Sequence, residues 1–248
     1  RGARGVGGRG EPGGFGGMEP GRLSGLVAVA TERLGGVDLL INNAGMLQPV
    51  GPLAQQDAST TARTVSLNVA APLILSSAIA VQMGGRPCRI LHVSSGAARH
   101  AYQGWSIYCA TKAALDQHAK AVALDNDPCV RICAIAPGVV DTDMQTEVRA
   151  LPAEQFPLRE RFIKMKNEGT LTPAAVAAEK VVDYLLSDAF GTAPVVDIRE
   201  LRGRPTLNPA CRRASPSLPG DGLSCWPCPA VHRSCRRKSG YRPCPSRR

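Results

Sequence analysis

Tyr108 and Lys112 stand four residues apart in Tyr108-Cys-Ala-Thr-Lys112, so a helix carries both on one face. An ammonium beside a phenol favours the phenolate, and the pair predicts a tyrosine pKa lowered from about 10 toward working pH. A phenol tuned in that way can give or take a proton in carbonyl or alcohol chemistry. A solvated helix face often shows the same spacing, so the surroundings decide its meaning. Ser95 lies thirteen residues before Tyr108, at the end of an expected strand, where its hydroxyl can bond a substrate oxygen on which charge develops. Asn42-Asn43-Ala44-Gly45 ends the strand pattern before it, and Pro137-Gly138-Val-Val-Asp-Thr142 ends the one after it. Ligands of parallel α/β sheets bind outside the carboxyl ends of the strands, so these turns share one edge. Asn68 lies inside a long helical pattern, an unfavourable place for Asn without a further purpose.

The elements that must position these residues alternate along the chain. Helical patterns cover 23–34, 59–83, 106–125 and 173–186, and short apolar strands cover 37–41, 89–93, 130–136 and 194–198. Pro173 suits a first helical turn. Strands alternating with helices predict βαβ units and a parallel sheet covered on both faces.

The chain of 248 residues has 30 basic and 20 acidic side chains, a net charge of +10. Residues 1–22 carry +2 and residues 202–248 carry +10, whereas the body, 23–201, sums to −2. The body is therefore not expected to bind nucleic acid, and the two flanks, rich in Gly, Arg and Pro, read as disordered. The longest near-apolar stretch, 69–81, is shorter than a bilayer requires and holds Pro72, Ser76 and Ser77, so no membrane span is expected. The start of the chain lacks the apolar core of a secretory signal. Cys88, Cys109, Cys129 and Cys133 at irregular spacing then read as reduced thiols, with a cytoplasmic location expected.

Taken together, the Asn-Asn-Ala-Gly turn, Asn68, Ser95 with Tyr108-x-x-x-Lys112, and Pro137-Gly138-x-x-x-Thr142 resemble the short-chain dehydrogenase/reductase family in order and spacing. The likeness covers about residues 23–201. Gly104-Trp105-Ser-Ile-Tyr108-Cys109, Val140-Asp-Thr-Asp-Met144-Gln145 and Val196-Asp197-Ile198 look more narrowly like the sepiapterin reductases and their bacterial relatives. The resemblance implies a Rossmann-like doubly wound α/β fold, NADP or NAD as cofactor with NADP favoured, and hydride transfer to or from a small carbonyl or alcohol substrate. It implies Tyr108 as acid/base, Lys112 as its tuner and ribose contact, Ser95 as the orienter of the carbonyl, and Asn68 as support for a proton-relaying water. Asn42, Ala44 and Gly45 would line the adenosine side of the cofactor, and Pro137, Gly138, Val140 and Thr142 the nicotinamide.

The family opens with a Gly-rich turn that holds a pyrophosphate at a helix N-terminus. Only 36 residues precede Val37, and Gly8-Arg9-Gly10-Glu11-Pro12-Gly13 follows no strand and opens no helix, so it is not read as that turn. The sheet is expected to lack its first strands, to show an exposed edge and to bind cofactor weakly. A second reading therefore stands beside the enzyme: an inactive oligomerising or interaction protein on the same scaffold, pairing as a homodimer or homotetramer through its long helices.

No metal site is expected. Cys225-Trp-Pro-Cys228 with His232, Cys235 and Cys244 fits no usual zinc ligand spacing. His92, on an apolar strand, reads as a core histidine, and His100 and His118 show no catalytic pattern. Trp105, Met144 and Gln145 are expected to border the carbonyl crevice, and residues 145–169 to form a lid over it.

Overall fold

The computed structural model describes residues 20–201. The expected disordered flanks lie outside them, except that helix α1 (Pro20–Leu34) takes in residues 20–22, which composition assigns to the flank. Strand β1 (Leu39–Asn42) follows, then helix α2 (Ala58–Val65), a π-turn (Ser66–Ala70) and helix α3 (Ala71–Met83). Strand β2 (Cys88–Val93) leads through a 3-10 turn (Gly96–Ala98) to helix α4 (Ser106–Leu124) and strand β3 (Val130–Ala136). The remainder comprises β4 (Val140–Asp141), α5 (Asp143–Ala150), α6 (Arg159–Asn167), β5 (Thr172–Pro173), α7 (Ala174–Leu186) and β6 (Val195–Asp197).

β1, β2, β3 and β6 form one parallel sheet in that order, and β4 pairs with β5. Strand periodicity assigns the two faces. Ile90, Ile132 and Ala134 point to one face and pack with Val27, Ile79, Met83 and Ala119 from α1, α3 and α4. Leu91, Cys133 and Ile135 point to the other and pack with Tyr184, Leu185 and Phe190. This is the doubly wound arrangement expected. Residues 39 and 41 lie in register with Arg89 and Leu91, on the face α7 covers, yet Leu39 and Ile41 are 41% and 45% exposed. Among the described residues, β1 and β6 are the outer strands of the sheet, and the β1 edge carries these exposed side chains.

The helical run Ala58–Met83 is continuous and, by length and composition alone, long and apolar enough to cross a bilayer, unlike the shorter stretch measured from sequence. Within the fold its polar residues are engaged by the domain itself: Ser76 Oγ donates to the Pro72 carbonyl at 2.6 Å, and Asn68 is wholly buried among partners.

Candidate active site

The parallel strands deliver their turns to one edge, as the topology requires. Ser94 and Ser95 follow β2, Pro137 and Gly138 follow β3, and the 42–45 turn ends β1. α4 crosses beneath them with Tyr108, Lys112 and Asp116 one turn apart and all buried.

Asn68 owes its place to the π-turn, a helical defect common at functional sites. Its Oδ1 accepts from Met46 N at 2.9 Å, and its Nδ2 donates to Met46 O at 2.8 Å and to Thr111 Oγ1 at 3.1 Å. Thr111 Oγ1 in turn donates to the Tyr108 carbonyl at 2.9 Å. Asn68 thus ties the loop after β1 to α4. Both amide protons are used, and the side chain clamps the loop to α4. At Gly45 a Cβ would stand 3.4 Å from both Asn68 Oδ1 and Lys112 Nζ, so glycine leaves the approach to the lysine open.

Lys112 Nζ donates to the Val93 carbonyl at 2.8 Å and lies 5.6 Å from the centre of the Tyr108 ring. Burial pushes this ammonium down to about 8, and the Asp116 carboxylate opposes that fall. The expected lowering of the Tyr108 pKa is not found. Burial pushes the phenol up, with a hydrogen bond from Ser95 as the main opposing influence; the lysine lies over the ring and donates to the Val93 carbonyl. Ser95 caps its 3-10 turn by accepting from Ala97 N at 3.1 Å, which leaves its hydroxyl proton to donate.

Of the other expected residues, Met144 packs against the apolar cluster that contains Trp105 and Tyr108. Asn42 Nδ2 donates to His92 Nδ1 at 3.1 Å and reaches Ser76 Oγ at 3.5 Å, so its amide nitrogen is engaged in the core. His92 is a core histidine as expected; burial holds it at about 3, and its Nε2 meets His118 Nδ1 at 3.0 Å. Because the amide nitrogen can only donate, His92 Nδ1 accepts and its Nε2–H donates onward to His118. Ala44 is exposed and Val140 half-buried in the β4–β5 pair. Thr142 is exposed at the N-cap of α5, a helix missed in the sequence, and α5 carries half-buried Met144 and buried Gln145. Gly138 has φ +82 and abuts the Arg199 side chain, whose guanidinium pairs with Asp197 at 2.6 Å.

Trp105 packs as core. It stacks on Phe156 with ring centres 4.7 Å apart and planes at 3°, and meets Tyr108 edge-on at 5.6 Å and Phe162 at 5.6 Å. The segment after α5 is therefore docked on the indole. Gly104, with φ +81, faces the Gln155 carbonyl so closely that a Cβ would lie 2.5 Å from that oxygen. Trp105 Nε1 and Gln145 Oε1 are buried without a hydrogen-bond partner. Phe156, Phe162, Thr111 and Asp116 were not singled out from sequence. Asp116 alone carried a usable signal, being four residues beyond Lys112 on the Tyr108 face.

Fold and site together define a parallel α/β domain with a buried polar centre at the carboxyl edge of its sheet. The short chain dehydrogenase family model matches residues 19–152. The chain belongs to this family of oxidoreductases. Over 166 residues it is 35% identical to the benzil reductase ((S)-benzoin forming) of Bacillus cereus, covering 65% of this chain and 67% of that protein. It is 34% identical to the sepiapterin reductase of Meriones unguiculatus, covering 64% of this chain and 62% of the relative. The crystal structure of the KRED1-Pglu enzyme superposes with a TM-score of 0.66 at 27% identity, over 72% of this chain and 75% of that one.

Proposed function

We propose that this chain reduces a ketone carried against its aromatic segment, using NADP or NAD, with the reverse alcohol oxidation on the same residues. The observation that carries the reading is the meeting of Asn68, Tyr108 and Lys112 beneath Gly45, with Ser95 in hydrogen-bonding relation to Tyr108. The open approach at Gly45 fits a cofactor ribose at Lys112. Ala44 and Gly45 would contact its adenosine side, and Pro137, Gly138, Val140 and Thr142 its nicotinamide side. We favour NADP over NAD on the family resemblance carried by the sequence motifs. When bound, the nicotinamide supplies or accepts the hydride.

The chain's own residues manage the proton. A buried phenol stays protonated at neutral pH, so Tyr108 gives its Oη proton to the carbonyl oxygen as that oxygen gains negative charge. Ser95 donates a hydrogen bond to the same oxygen and fixes its direction. The Lys112 ammonium stabilises the phenolate left behind. In the oxidation direction Tyr108 takes the proton back. The relatives named for benzil and sepiapterin support an aromatic or heterocyclic ketone, and Trp105 Nε1 and Gln145 Oε1 offer it a donor and an acceptor.

A thermal-shift titration with NADPH and NADH, followed by a turnover assay on benzil, tests this. At about 100 times its dissociation constant, cofactor should stabilise the chain by about 2.7 kcal/mol. Tyr108→Phe should keep that stabilisation and lose turnover by about 10²-fold or more. No stabilisation at millimolar cofactor, or unchanged turnover in the variant, would overturn the reading.

A further inference from the structure

Asp116 is 4% exposed, and a carboxylate is buried at that depth only when its charge is answered. Its Oδ1 accepts from Ser94 Oγ at 2.5 Å, and its Oδ2 meets Arg99 Nε at 3.3 Å. Ser94 immediately precedes Ser95, and Arg99 closes the turn that Ser95 caps. Ser94 Oγ also reaches the Lys112 carbonyl at 3.5 Å, and Arg99 Nη2 donates to Val196 O at 3.4 Å. The carboxylate therefore joins both ends of the Ser95 turn to α4, one helical turn beyond Lys112.

Lys112, itself 4% exposed, has a single neutral acceptor, the Val93 carbonyl, as its hydrogen-bond partner. A carbonyl oxygen orients an ammonium but does not balance its charge. The titratable and charged groups around it are few. Tyr108 presents a ring face from α4, and His92 from β2 is neutral at working pH. Arg99, from the 3-10 turn, adds a like charge to the cluster and is held on the far oxygen of Asp116. Among the described residues, Asp116, buried four residues further along α4 and bonded to Ser94 beside the Val93 carbonyl that Lys112 binds, is the carboxylate whose charge acts on Lys112.

We propose that Asp116 is the positioning residue of the Tyr108–Lys112 site: its buried carboxylate keeps Lys112 charged and, through Ser94 and Arg99, locks the Ser95 turn against α4. This rests on the functional reading above for its relevance to catalysis, but the hold on Lys112 is a property of the chain itself. In the oxidation direction a charged lysine is what makes the phenolate accessible, so Asp116 would act through Lys112 without touching substrate.

The test follows the ¹³Cε resonance of Lys112 with pH in the full chain labelled with ¹³C-lysine, assigned by its loss in Lys112→Met. Asp116→Asn keeps the size and the hydrogen-bonding capacity but removes the charge, and should lower the Lys112 midpoint by about 1 to 3 units. Asp116→Glu should restore most of the loss. Ser94→Ala removes one bond to the carboxylate but leaves its charge, and should keep the midpoint within about half a unit of the parent. An unmoved midpoint in Asp116→Asn, or an equal drop in Ser94→Ala, would overturn the proposal. Should Asp116→Asn fail to fold, Asp116→Ser takes its place, since it also removes the charge: the same downward shift is expected, and an unmoved midpoint would overturn the proposal. Cofactor titration of the same samples separates the two readings: absence of cofactor binding with the downward shift present defeats the function and leaves the Asp116–Lys112 coupling standing.

Discussion

Two regions meet at Tyr108 and are built on opposite principles. Beneath it, Asn68, Thr111, Ser94, Asp116 and Lys112 form a buried polar frame in which each side chain has a hydrogen-bond partner within the protein. Above it, Trp105, Phe156 and Phe162 form a stack of aromatic rings. Within that upper region Trp105 Nε1 and Gln145 Oε1 are left unanswered. Hydrogen bonds are directional and fix distances, so the lower region suits groups that must hold a proton in one place. Ring stacking tolerates sliding, and the proposed function gives its two unpaired polar atoms to the ketone. On the proposed function, one region sets geometry and the other sets selection.

The largest expected effect comes from the aromatic side. Phe156 is fully buried against Trp105, and Phe156→Ala should lower unfolding free energy in urea by about 4 kcal/mol. A loss below about 1 kcal/mol would show that the segment after α5 is only loosely docked, and would break the contrast from above. On the polar side, Asn68→Ala strips the partners from both backbone groups of Met46 and from Thr111 Oγ1. It should cost about 3 kcal/mol, and amide exchange at Met46 should accelerate with it. Loss of stability without faster exchange at Met46 would mean that the loop after β1 has other anchors.

The framework of both regions was legible in the sequence, but the contents of neither were fully so. Strand 130–136 matches β3 residue for residue, and helix 106–125 differs from α4 by one terminal residue, because long apolar periodicities survive any tertiary context. α5 escaped because Asp143–Ala150 is short and polar, with only Gln145 and Val148 buried. The π-turn at Asn68 leaves no periodic trace, since one widened turn is smaller than the noise of the pattern. The Tyr108 pKa was given the wrong direction for a related reason. Spacing places Lys112 on the right face, but burial depth and the aim of an ammonium toward Val93 O are tertiary facts. Asp116, four residues on, reads as an ordinary helix surface acid until the Ser94 turn closes over it.

The smallest expected effect tests whether burial, rather than the mere pairing of opposite charges, separates the two regions. Lys166 on α6 meets Asp141 on β4 at 2.6 Å, a shorter contact than the 3.3 Å between Arg99 and Asp116. Distance alone would rank the Lys166 pair as the stronger. Its side chains, however, are 48% and 36% exposed, against 5% for Asp116, so water and salt screen it from both sides. Lys166→Gln should therefore change unfolding free energy by no more than about 0.5 kcal/mol, and raising ionic strength to about 1 M should erase even that difference, since the Debye length there is about 3 Å. The Lys112 midpoint should stay where it is in the same variant. A loss above about 1.5 kcal/mol that persists in high salt would show that α6 is fastened by charge as the site frame is, and the division between a polar frame and an apolar cover would no longer describe this molecule.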